Sequence, residues 1–207
     1  MKHAMRTKWS LALGIALGVF CAAFAAGYLG DYAIARQQES TESDRPDNTE
    51  LAKLFADDQG DRRPEAGQPI DAKFIIPRDK NREDRIKALY EAGEIRTGKD
   101  YYRAAMILQH ASKPEDDLLA HEFCIVALAK GDPNARWLAA ATEDRFLMKI
   151  GRPQRFGTQY HSANNEPVKL YDVGPGVTDG LRKELRVPPL DEALQREAEM
   201  GKLFKVQ

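Results

Sequence analysis

Three glycines, Gly93, Gly131 and Gly151, each close a stretch in which apolar residues recur three and four positions apart. Helical period followed by a glycine stop leaves little choice of local structure between residues 79 and 151. Ile86, Leu89 and Tyr90 share one face of a helix that Gly93 ends. Thr97 stands as N-cap, with Asp100 three residues on, for a helix in which Tyr101, Ala104, Ala105 and Leu108 repeat at helical spacing. Ser112-Lys113-Pro114-Glu115 reads as a capping box with proline in the first turn, opening a helix through Leu118, Phe123, Val126 and Ala129. Asp132 then caps a helix with Pro133 at its first position, running through Trp137, Ala141 and Met148. Four core helices on short connections predict a mainly α fold of packed helical hairpins.

The period changes after Gly151. Phe156–His161 and Val168–Val173 each read as a short strand, joined by the turn-favouring SANNEP. A two-stranded β-ribbon of this kind is marginal alone and must lie on the helices. The break GPG at 174–176 precedes two C-terminal helices, one around Leu181 and Leu185 and one from about Leu190 to Phe204. Upstream, Leu51, Leu54 and Phe55 make a short amphipathic piece, and KFIIP reads as a brief strand-like run closed by Pro77.

Residues 1–30 carry Lys2, Arg6 and Lys8 and no acid, and Trp9–Gly30 is uncharged. A basic segment before an apolar core is an export signal. Two readings stand. Ala23-Phe24-Ala25 fits a small-x-small cleavage site, which releases a soluble periplasmic or secreted chain near Ala25. Uncleaved, the run is long enough to span hydrocarbon as an inner-membrane anchor through residues 9–29, with the body outside the cytoplasm. Residues 31–50 include RQQESTESDRPDNTE, which has nothing aliphatic or aromatic to bury and reads as a polar tether. Residues 51–207 are then one extracytoplasmic helical domain.

Residues 31–207 hold 28 basic and 32 acidic side chains, a net −4 with no basic run, which argues against nucleic acid as a partner. The two cysteines, Cys21 and Cys124, fall in the apolar run and in a helix, so no disulfide framework is available. The histidines at 3, 110, 121 and 161 show no H-E-x-x-H and no i, i+4 pair, and no G-x-S-x-G occurs. Neither a metal nor a cofactor is expected.

On a helical wheel Asp144 shares a face with Trp137, Ala141 and Met148, with Arg145 at the edge of that stripe. A buried unpaired carboxylate is costly, so Asp144 needs a partner: Arg145, Arg62 or backbone amides of GRPQRFGTQ at 151–159. It is either a structural clamp or a pocket acid or base. His110, closing a helix beside Gln109, is either a helix-end residue or a general base. The loop holds Gln154, Thr158 and Gln159, side chains that recognise by paired donors and acceptors and do not shuttle protons. It either locks the ribbon to the helices or reads a ligand.

The segments DDQGDR, LYEAG, YYRAAMILQHAS, EDRFLMKI and GRPQRFGTQY together resemble a bacterial family of uncharacterised helical domains. Its pattern is D-Q-x-x-R, A-A-x-x-x-Q-H, D-R and G-x-P-Q-x-[YF]-G-T-Q, and the likeness covers about Leu51 to Leu194. It matches Asp58, Gln59 and Arg62; Ala104, Ala105, Gln109 and His110; Asp144 and Arg145; and Gly151, Pro153, Gln154, Phe156, Gly157, Thr158 and Gln159. Members often carry tyrosine where this chain has Phe156. The resemblance implies motifs that converge on one pocket and brings no reaction with it. The expected site is therefore a polar cluster, with His110 and Asp144 as candidate catalytic residues. Arg62, Gln109, Arg145, Gln154, Thr158 and Gln159 are its candidate ligand-binding residues. The expected function is binding of a small polar ligand or an envelope protein. Two alternatives are a hydrolase- or transferase-like enzyme using His110 or Asp144 as base, and a scaffold with no ligand.

Overall fold

A computed structural model describes residues 45–63, 71–162 and 166–204, the side chains of 202–204 excepted. The segment expected to direct export, most of the expected tether and residues 163–165 of the ribbon turn lie outside the described residues. The elements in chain order are α1 (Thr49–Asp61), α2 (Ala72–Glu91), α3 (Gly98–Leu108), α4 (Pro114–Ala129) and α5 (Ala135–Lys149). Strands β1 (Tyr160–His161) and β2 (Lys169–Leu170) follow, then α6 (Asp179–Glu184) and α7 (Leu190–Phe204). Among the described residues no helix is long and apolar enough to cross a membrane.

Helices α3, α4 and α5 pack in sequence, and α1 and α2 lie against α3. Alanines 104, 105, 120, 127 and 139 let these helices approach closely, while Leu51, Ile86, Leu89, Leu108, Phe123 and Leu138 fill the space between them. Cys124 is fully buried in this core, and burial pushes its thiol up to about 12, which keeps it inert. A smaller core of Ala140, Phe156 and Val187, with Val177 and Leu185 beside it, seats the C-terminal segment on α5.

The glycine stops end helices as expected: Gly93, Gly131 and Gly151 have φ of 67, 86 and 74°, and the amide of the next residue returns to a carbonyl of the last turn. Thr97 closes a capping box. Its hydroxyl accepts from the Asp100 amide at 3.0 Å, and the Asp100 carboxylate accepts from the Thr97 amide at 3.2 Å. The Thr97 hydroxyl also donates to Asp47 at 2.9 Å. Thr97→Ala is expected to lower unfolding stability by about 1–2 kcal/mol in urea denaturation, with Thr97→Ser recovering most of it. A loss confined to a few tenths would mean that Asp100 alone holds this end.

Other local expectations shift. Lys113, not Ser112, is the N-cap of α4, without a side-chain cap bond, because Pro114 already supplies a first position that needs no donor. Helix α5 begins at Ala135: Asp132 spends its carboxylate on the Asn134 amide at 3.0 Å, so Pro133 and Asn134 form a turn before it. The folded unit starts earlier than residue 51. Asn48 caps α1, accepting from the Leu51 amide at 3.0 Å, and Asp47 lies 3.2 Å from Arg103.

The KFIIP run is helical rather than strand-like. It forms the first turns of α2 with Pro77 inside the helix, and Asp71 caps it at the Lys73 amide. An interior proline costs about 3 kcal/mol. Ion pairs from the next turns of α2 to α1 offset it: Arg78 and Arg82 both reach Asp61, at 2.6 and 2.7 Å, and Asp79 takes Arg62 at 2.7 Å. Tertiary pairing here overrides the β-preference of Phe74, Ile75 and Ile76. The strands are also shorter than expected. Among the described residues only Tyr160–Leu170 and His161–Lys169 pair, with one parallel bridge between Gln154 and Val173. The amides of Arg155, Phe156, Thr158 and Gln159 are engaged elsewhere.

Candidate functional site

All the candidate residues but Gln109 separate into two constellations on opposite sides of the Asp144-Arg145 step. Successive helix positions point about 100° apart, so neighbours in sequence serve different neighbourhoods.

Asp144 faces the loop. Its carboxylate, with no exposed surface, accepts from the amides of Arg155 at 2.6 Å, Phe156 at 2.9 Å and Thr158 at 3.0 Å, and from the Thr158 hydroxyl at 2.7 Å. Gly157, at φ 70°, makes the turn that aims the amides on either side of it at one carboxylate. Gln154, equally buried, completes the latch. Its side-chain oxygen accepts from the Gln159 amide at 3.0 Å, and its nitrogen donates to the carbonyls of Gln159 at 3.1 Å and Tyr171 at 2.8 Å. Gln159 is buried too and donates to the Thr158 hydroxyl at 2.8 Å. From the far side Arg182 of α6, 1% exposed, donates to the carbonyls of Phe156 and Arg155. Asp144, Gln154, Thr158 and Gln159 are thus occupied in holding the loop to α5, β2 and α6.

The other constellation gathers Arg62, His110 and Arg145. Arg62, at the C-terminal end of α1, donates to Asp58 at 2.6 Å and Asp79 at 2.7 Å. Arg82 of α2 lies 2.6 Å from Asp79 and 3.6 Å from the buried Asp58. Burial raises the Asp58 carboxyl, against the pull of Arg62 and Arg82. Burial would raise Asp79 as well, but hydrogen bonds from Arg62 and Arg82 hold it below its ordinary value. His110 sits against this network. Burial first, then the charges of Arg62 and Arg145, push its imidazole down to about 3, so it is uncharged at neutral pH. Its Nε2 is buried and has no hydrogen-bond partner, and neither has Nε of Arg145. Burial lowers the Arg145 guanidinium, opposed by Asp117, with Arg62 adding repulsion.

Asp117 of α4 is fully buried, and burial lifts its carboxyl to about 6 although Lys149 stands 2.5 Å away. That lysine also donates to the Ala111 carbonyl at 2.6 Å. Gln109 joins neither constellation: it is buried and its amide turns back onto its own helix, 3.2 Å from the Met106 carbonyl. Among the described residues no group of three or more His, Cys, Asp or Glu is placed to hold a metal ion.

Asp79, Arg82, Asp117, Lys149 and Arg182 lie outside the set of residues that motif reading singles out. Asp79 and Arg82 have a sequence signal, an i, i+3 pair on one helix. Asp117 and Arg182 have none, since charged residues near helix ends are ordinarily solvated. No family model, curated protein or solved structure matches this chain.

Proposed function

We propose that the domain binds a small anionic ligand at Arg62, His110 and Arg145. The observation that carries this is the pair of buried nitrogens, His110 Nε2 and Arg145 Nε, left without partners beside two guanidinium groups. A buried polar atom left unpaired costs about 1–3 kcal/mol, and such an atom marks a place where a ligand or water completes the bonding. An oxyanion supplies acceptors for Arg145 and for the N–H of a neutral imidazole, and it balances the repulsion between Arg145 and Arg62. The chain carries an export-type N-terminus, so the ligand is one found outside the cytoplasm. Binding fits this geometry better than base catalysis. An imidazole held at about 3 takes up protons weakly, and Asp144 already accepts four hydrogen bonds.

The test is isothermal titration calorimetry of the full chain with inorganic phosphate, succinate and glycerol. At least one of the two anions is expected to bind saturably and glycerol not at all. Arg145→Gln should weaken the anion at least about tenfold, as expected for loss of a charge-assisted bond. His110→Gln should weaken it less. Heat from neither anion, together with ordered water filling both nitrogens in a crystal structure, would leave the cluster as scaffold alone.

A further inference from the structure

The latch has a second consequence on the surface it braces. A cavity of about 310 Å³ opens between the end of α5 and the ribbon, lined by Met148, Arg152, Pro153, His161, Tyr171 and Asp172. That is the lower end of small-molecule pockets, roughly 300–1,000 Å³. Its inner wall carries an aromatic pair: the His161 and Tyr171 rings lie 4.3 Å apart between centroids, tilted by 38°. The pair follows from the ribbon register. His161 faces Lys169, which puts Tyr171 diagonally across on the same face.

Arg152 and Asp172 carry opposite charges into this one cleft, and neither side chain makes a hydrogen bond or ion pair among the described residues. Two opposite charges that share a small cavity without meeting match a guest that carries both charges itself. The backbone that carries them is held in place. Gln154 donates its amide to the Asp172 carbonyl at 2.9 Å, accepts from the Gly174 amide at 2.8 Å, and reaches the Tyr171 carbonyl through its side chain at 2.8 Å. One buried glutamine therefore ties the wall bearing Tyr171 and Asp172 to the wall bearing Arg152 and Pro153. Gly151 and Arg152 are pinned in turn to α5, their amides bonding the carbonyls of Met148 at 3.0 Å and Leu147 at 2.8 Å. Walls held in this way pay little ordering cost when a ligand enters.

We infer that this cleft binds a zwitterion with an apolar body: an amino acid, free or at the end of a short peptide. Its carboxylate lies on Arg152, its ammonium on Asp172, and its side chain on the Tyr171–His161 face with Met148. Guanidinium forks match carboxylates, and an ammonium pairs with a single carboxylate. A bulky side chain is preferred because the cavity exceeds what the two charged groups fill. This site is separate from Arg62, His110 and Arg145, and its fate does not depend on theirs.

The test is titration of the full chain, followed by calorimetry, with L-phenylalanine, N-acetyl-L-phenylalanine, L-phenylalaninamide, glycine and the dipeptide Phe-Phe. Saturable binding is expected for L-phenylalanine or Phe-Phe, and which of the two is tighter tells a free amino acid from a peptide. Each singly charged analogue should bind roughly fivefold weaker, the upper end for an exposed ion pair, and glycine weaker still. Arg152→Gln should remove the penalty for phenylalaninamide, and Asp172→Asn the penalty for the acetylated analogue. Both residues are exposed, so both variants should keep the wild-type melting temperature. His110→Gln should leave this binding unchanged. No binding of any probe at millimolar concentration overturns the inference. So does equal binding of all the phenylalanine probes, since that would show an apolar patch indifferent to charge.

Discussion

Asp144→Ala should cost the fold about 3–5 kcal/mol, more than any other single change at the loop. The substitution removes one carboxylate and strands three backbone amides and a hydroxyl that have no other acceptor. Those amides are buried or half-buried, and water cannot replace the carboxylate without opening the loop. Asp144→Asn should lose somewhat less, because one carbonyl oxygen still accepts while the new NH₂ faces other donors. Thr158→Val removes one of the four bonds and should cost about 1 kcal/mol. Urea denaturation gives the magnitudes, and hydrogen exchange gives the location. The amides of Arg155, Phe156 and Thr158 should lose protection in Asp144→Ala, while those of α3 and α4 fall only by the global change. A loss under 1 kcal/mol would mean that Gln154 and Arg182 hold the loop and that Asp144 is free for other work.

The second large effect is a dependence of stability on pH that reverses when His110 is replaced. His110 titrates near 6.5 in an unfolded chain and near 3 in the fold, held down mainly by burial and then by Arg62 and Arg145. Its folded value is depressed, so its contribution is fully present above 6.5 and is lost as pH falls towards 3. In that window the unfolded chain binds a proton that the folded chain refuses. Asp117 runs the other way: burial lifts it from 3.8 to about 6, so the folded state binds a proton first and gains stability as pH falls from about 6 to 3.8. At about 1.4 kcal/mol per unit, the His110 effect is on the order of 4–5 kcal/mol and the Asp117 effect about 3 kcal/mol in the opposite sense. The wild type should therefore weaken modestly between pH 6.5 and 4. His110→Gln should instead strengthen relative to wild type over the same range, and Asp117→Asn should weaken more steeply. Parallel stability curves for wild type and His110→Gln would show that the imidazole is solvated and charges freely. The proposed ligand adds a linked effect. An anion beside His110 favours the imidazolium, so phosphate should bind more tightly, with proton uptake, as the pH drops below neutral.

Much of the helical framework is legible in the chain itself. Thr97 with Asp100, and Gly93, Gly131 and Gly151 as stops, act within a few residues of themselves, and each does in the structure what its local chemistry demands. Asp144 was readable up to a point. A carboxylate on an apolar stripe must find donors, and the loop amides were among the three kinds of partner that could supply them. Which of the three it took depended on a turn at Gly157 and on Arg182 closing the far side, 26 residues beyond Phe156. KFIIP shows the opposite case. Its residues favour a strand and its proline opposes a helix, yet Arg78, Asp79 and Arg82 one turn later bind α1 and carry the segment into α2.

The separation of the motifs into two places has the same origin. Asp144 and Arg145 are adjacent in sequence, and a helix sends them to different neighbourhoods: one to the loop, the other towards His110 and Arg62. Sequence by itself determined what acts over one or two turns, namely helix period, caps, stops and the need of a buried charge for partners. Only the tertiary structure decided which distant residues met those needs. Backbone geometry sets a cap within four residues, whereas the partner of Asp144 and the neutrality of His110 are set by what burial removes from water.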